Sequence, residues 1–118
     1  GVSYPPYNIQ KLSNDSYRIE LALAGCSEKN IEIIEHHGTL TVKGKPNDLS
    51  KDDNSWVYRG IASRAFERRF QLAEHLEVKS ASMSNGLLKI DLLTNIPDEL
   101  KPRRINISLS KSDLNKAA

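Results

Sequence analysis

An all-β fold of two packed antiparallel sheets is what this sequence predicts, and three observations predict it. Apolar and polar residues alternate in several short runs, the period that puts apolar side chains on one face of a strand. Turn signals built on glycine or asparagine separate these runs. No segment sustains an apolar period of 3.6 over the ten or so residues a helix needs. Strands with one apolar face each bury those faces most economically by packing sheet on sheet.

The elements follow in order. Tyr4-Pro5-Pro6-Tyr7 is extended, because each proline fixes φ and pushes the residue before it out of the helical region. Proline donates nothing to a ladder, so a strand here belongs at a sheet edge. After polar turn residues from Lys11 to Ser16, Tyr17, Ile19, Leu21 and Leu23 alternate with Arg18, Glu20, Ala22 and Ala24, a half-buried strand closed by Gly25. Ser27-Glu28-Lys29-Asn30 reads as a short connection, either irregular or one helical turn with Ser27 as its cap. Ile31 to Glu35 is β-branched, and Gly38 divides it from the alternating run Thr39 to Lys43, which makes a hairpin.

From Gly44 to Gly60 the chain turns polar and acidic, a loop of the length that is functional or disordered when found in a compact domain. Within it Trp56-Val57-Tyr58 is a strand-like triplet with no evident partner. Phe66, Arg68, Phe70 and Leu72 then share one face of the most aromatic strand. Arg68 stands where a core residue is expected, so its guanidinium needs an acidic or carbonyl partner, or exposure at an interface. The firmest hairpin is the run from Ser80 to Leu92, folded on Asn85-Gly86, residues that accept the two positive φ angles of a type I′ turn. Leu88, Ile90 and Leu92 form its apolar face. Beyond Leu93, Pro97 and Pro102 break regular structure and leave a polar tail with one apolar island, Ile105-Asn106-Ile107.

Composition narrows the function. A chain of 118 residues is one domain by length. Charged residues make up 27%, and a net charge of only +2 points to neither a nucleic-acid nor a membrane specialist. Arg68-Arg69 and Lys101 to Arg104 are basic, yet Glu67 and Glu99 lie close by and no aromatic RNA-binding platform accompanies them. Cys26 is alone, so no internal disulfide forms, and the expected compartment is a reducing cytoplasm. His36 and His37 point to opposite faces of a strand, which argues against a metal pair. The six glycines form neither a dinucleotide fingerprint nor a phosphate loop, and Asp52-Asp53 lacks a histidine or serine partner, so neither an enzyme nor a cofactor is expected.

Ser63-Arg64-Ala65-Phe66-Glu67-Arg68-Arg69-Phe70-Gln71-Leu72 resembles the Phe-x-Arg-x-Phe-x-Leu strand of α-crystallin domains, the core of the small heat-shock proteins. Ala81-x-x-x-Asn85-Gly86-x-Leu88 resembles that family's signature and follows at its spacing. Tyr4 to Ile9, Gly60-Ile61-Ala62 and Pro102 to Ile107 further resemble the proteobacterial inclusion-body-binding members. The sequence departs from the pattern at Ala73, where proline is common, and has no counterpart of the family's apolar N-terminal arm.

The resemblance implies an immunoglobulin-like antiparallel β-sandwich over residues 4–94, with a dimerisation loop at 45–60, a C-terminal extension over 95–118, and a cloning remnant or cut edge at 1–3. It implies an ATP-independent chaperone that holds unfolding clients until downstream ATP-dependent chaperones act. It makes Trp56, Val57 and Tyr58 a strand exchanged within a homodimer and puts Arg68 at the dimer interface, where the alternative is a surface arginine. Ile105 and Ile107 become an assembly tail that builds higher homo-oligomers, where the alternative is a last strand on their own domain. The tail's groove, shared with clients, lies between the strands spanning Ile31 to His37 and Glu77 to Ser84, with Ile31, Ile33, Val78 and Ser80 lining it. A β-sandwich module that docks one dedicated partner is the competing function, since fold alone does not decide.

Overall fold

A computed structural model describes residues 4–46 and 55–110. Residues 1–3, the middle of the expected dimerisation loop and the end of the expected extension lie outside the described residues. The strands are β1 (Tyr7–Lys11), β2 (Ser16–Ala22), β3 (Ile31–His36), β4 (Thr39–Gly44), β5 (Phe66–Gln71), β6 (Leu76–Ser84) and β7 (Leu87–Thr94). They form two antiparallel sheets, one of four strands in the order β1-β2-β7-β6 and one of three in the order β3-β4-β5. The only helical turns among the described residues are two short 3₁₀ segments. The first, Glu28–Asn30, is capped by Ser27, whose hydroxyl accepts from the Lys29 amide at 3.4 Å.

Alternation decides which side chains are inside. Ile19, Leu21 and Leu23 face Leu88, Ile90 and Leu92 on the first sheet, and Leu40, Val42 and Phe70 meet them from the second. No polar side chain among the described residues is buried. On the wet face of the first sheet, Arg18 on β2 donates to Asp91 on β7 at 2.7 Å, and that hydrogen bond, with the carboxylate's charge, raises the pKa of the guanidinium.

The β6–β7 and β3–β4 hairpins each turn through two residues of positive φ. Asn85 and Gly86 lie at 53° and 75°, and His37 and Gly38 at 49° and 75°. The second pair is visible in the sequence only through its glycine, because His-Gly is not one of the dipeptides that mark such a turn. Gly44 serves a different purpose. It lies opposite Phe66, and a Cβ there would collide with the phenyl ring. Gly44→Ala should therefore lower stability by about 1–3 kcal/mol, the usual cost of overpacking. Chemical denaturation measures this, and an unchanged midpoint would show that Phe66 moves aside freely.

Candidate functional site

Four strand edges remain open because neither sheet closes: those of β1 and β6 on the larger sheet, and β3 and β5 on the smaller. On one side of the sandwich β3 and β6 flank a cleft of about 170 Å³. Ile31 and Ile33 line it from β3, Ala81, Ser82 and Met83 from β6, and Leu88 from β7. A two-residue turn is closed by a hydrogen-bonded pair, here Ser84 and Leu87, so the alternate residues Ala81 and Met83 present their backbone groups at the open edge. An apolar floor beside unpaired backbone groups can take an extended segment as an added strand.

Two of the four residues expected in the groove, Ile31 and Ile33, stand together in this cleft. Val78 lies opposite Leu92 on the same inner face, but at the end of β6 where the Glu35 carboxylate reaches across. There Glu35 Oε2 accepts from the Val78 amide at 3.0 Å. Ser80 is not part of the cleft. The register of β6 against β7 shifts between Val78 and Ser80, so Lys79 is an extra residue and every later side chain changes face. Ser80 is thereby set opposite Asp91 on the outer face, and Ala81 and Met83 take the inner positions. Nothing in the run Val78-Lys79-Ser80-Ala81 announces a bulge. Met83 was legible as the inner-face partner of Leu88 once the hairpin was placed.

The described part of the tail adds no strand to its own domain's sheets. Residues 102–110 form no helix or strand, and Ile105 and Ile107 are 74% and 95% exposed. Trp56, Val57 and Tyr58 likewise pair with no strand among the described residues, and Val57 is fully exposed. Arg59 stacks over the Trp56 ring at 4.9 Å.

Arg68 has the carbonyl partner its position demands. Its guanidinium donates to the Pro5 carbonyl at 3.3 Å and lies 4.5 Å above the Tyr7 ring. Tyr4 packs edge-on against Phe66 and Tyr7 against Phe70. The aromatic strand thus holds down the chain that leads into the β1 edge, a role for Tyr4 and Tyr7 that the sequence does not disclose. The basic residues are partly neutralised: Arg69 contacts Glu67 at 3.1 Å and Lys101 contacts Asp98 at 3.2 Å. No group of histidine, cysteine or carboxylate side chains suited to a metal occurs among the described residues. No helix among them is long and apolar enough to cross a membrane.

Comparison with known proteins places this arrangement. Residues 9–108 match the model of the Hsp20/alpha crystallin family. The chain is 47% identical over 111 residues to the small heat shock protein HspD of Bradyrhizobium diazoefficiens, covering 94% of this chain and 72% of the relative. It is 46% identical over 104 residues to the small heat shock protein IbpA of Serratia proteamaculans, covering 88% and 75%. Among solved structures it resembles a C-terminally truncated form of small heat shock protein AgsA from Salmonella typhimurium, with a TM-score of 0.72 and 33% identity over 89% of this chain and all of that one. A small heat shock protein from Synechococcus phage S-ShM2 matches with a TM-score of 0.68 and 40% identity, over 89% of this chain and all of that one. The sandwich, its signature strand and hairpin, and these matches agree: the chain belongs to the Hsp20/α-crystallin family of small heat-shock proteins, ATP-independent chaperones whose members form oligomers and bind client proteins.

Proposed function

We propose that this chain holds unfolding proteins as a homodimer built by strand exchange, and that the dimers assemble further through their tails in the cytoplasm. Trp56, Val57 and Tyr58 reach out of one subunit and add to the free edge of β1 in the other. Two features support this reading. The triplet is an exposed strand former that pairs with no strand among the described residues, and β1 is an edge strand with every residue exposed. Adding the one to the other pairs backbone groups that each edge otherwise leaves open.

The observation that carries the proposal is the match between tail and cleft. Ile105 and Ile107 are exposed and share one face of an extended segment, and the cleft between β3 and β6 offers Ile31, Ile33 and Met83 beside an open strand edge. Burying the two isoleucines contributes a gross ~1.5–3 kcal/mol each, and ordering the tail takes back part of it. Single tails therefore bind weakly, and many in one assembly hold through effective concentration. The same cleft then releases a tail and accepts an exposed apolar segment of a client, which is kept for downstream ATP-dependent chaperones.

Strand exchange is tested by the double variant Val57→Pro, Tyr58→Pro. Successive amides point to opposite edges, so one of the two prolines removes a bond to the partner whatever the register. Sedimentation should show monomers replacing dimers; a dimer of unchanged stability refutes the exchange. Arg68→Gly tests how β1 is supported. Losing the bond to Pro5 and the contact with Tyr7 should raise the dimer dissociation constant about tenfold, from the usual worth of a charged hydrogen bond. A dilution series by analytical ultracentrifugation reads this, and an unshifted curve would remove Arg68 from the interface.

A further inference from the structure

We propose that Glu35 fixes the direction in which a neighbouring copy's tail lies in the cleft, by pairing with Arg103 of that tail. The inference rests on the tail-docking reading and adds to it a polarity and a residue that selects it. On β3, Ile33 lies opposite Val42 and Glu35 opposite Leu40, both core residues. Ile31, Ile33 and Glu35 therefore occupy the face turned to the other sheet. The cleft is apolar along the two isoleucines; Glu28 lines it next to Ile31, and one strand step beyond Ile33 stands the Glu35 carboxylate, which the Val78 amide holds at 3.0 Å from across the sandwich. A carboxylate has lone pairs beyond those one amide uses, and a guanidinium is the donor whose planar fork suits them.

The tail carries the complementary series. In an extended segment Arg103, Ile105 and Ile107 share one face, and Arg104 and Asn106 share the other. Charge, isoleucine, isoleucine at two-residue steps answers carboxylate, isoleucine, isoleucine at the same steps, and each series spans roughly 13 Å. The match is made with Arg103 beside Glu35, Ile105 beside Ile33 and Ile107 beside Ile31, the tail running antiparallel to β3. Turned round, the tail sets Leu109 against the carboxylate and carries Arg103 past Ile31 towards Glu28, which lies on the 3₁₀ turn and not on the strand.

The test uses a fluorescent peptide of residues 101–109, titrated with the full chain carrying Ile105→Ala and Ile107→Ala so that its own tails leave the cleft open. The Arg103→Glu peptide should bind about fivefold more weakly than the parent peptide, and the Arg104→Glu peptide, of identical net charge, less than twofold more weakly. On chains that also carry Glu35→Gln, which keeps an acceptor for the Val78 amide, the two charge-reversed peptides should bind alike. Equal binding of the two on the Glu35 chain overturns the proposal. So does a difference that survives Glu35→Gln and disappears in Glu28→Gln, which would establish the reversed tail. If the parent peptide does not bind, or binds no better than one with Ile105→Ala and Ile107→Ala, tail docking itself fails and the pairing with it.

Discussion

Chains carrying Ile105→Ala together with Ile107→Ala should run as dimers where the parent chain runs as larger assemblies. Each substitution removes most of a branched side chain that is solvent-exposed on the free tail and covered only when docked. At about 0.8 kcal/mol per buried methylene-sized group, the pair costs each tail several kcal/mol of gross burial, more than a weak, flexible contact can lose. The effect multiplies across an assembly, because every dimer held by two or more tails loses effective concentration along with intrinsic affinity. The proposed strand exchange uses Trp56 to Tyr58 and the β1 edge, both remote in sequence from the tail, so dimers should persist. Light-scattering mass separates the outcomes, and an unchanged assembly mass in the double variant would mean that the tail is not an assembly contact.

Ile90→Ala should be the most damaging small truncation in the sandwich. Ile90 is fully buried on β7, with Ile19 opposite it on β2 and Ala81 opposite it on β6. It belongs to the cluster in which Leu40, Val42 and Phe70 close from the second sheet. A cavity made there is bounded by neighbouring strands on both sides and collapses poorly. The expected loss is about 2–5 kcal/mol, a large fraction of the roughly 5–15 kcal/mol that holds a domain folded. The melting temperature should fall by ten degrees or more at fixed protein concentration. A fall of only one or two degrees would mean that the two sheets are less tightly packed than the burial of Ile90 indicates.

The fold was legible because its signals are local and agree with one another. Asn85-Gly86 demanded a hairpin, Leu88, Ile90 and Leu92 gave its buried face, and the prolines at 5 and 6 sent β1 to an edge. All three appear in the sandwich. Arg68 could be read as needing a partner, and the choice of the Pro5 carbonyl was not readable, because it depends on how the N-terminal segment crosses β5. The two strands that flank the cleft were legible, and the inward face of β6 was misread by one residue. A bulge at Lys79 changes the face of everything after it without altering the pattern that precedes it, so Ser80 gave way to Ala81 and Met83. Glu35 was visible as the next residue in the Ile31, Ile33 series. Its reach to the Val78 amide depends on the packing of one sheet on the other, which no local pattern encodes.

On the proposed reading one cleft, between β3 and β6, serves both assembly and client holding. The most direct test is the scattering of a heat-labile client protein warmed with this chain, without nucleotide, as the 101–109 peptide is added in excess. The chain alone should keep the client in solution, excess peptide should restore aggregation by occupying the cleft, and the Ile105→Ala, Ile107→Ala peptide should not. Protection that survives saturating parent peptide would contradict this reading and move client binding to another surface.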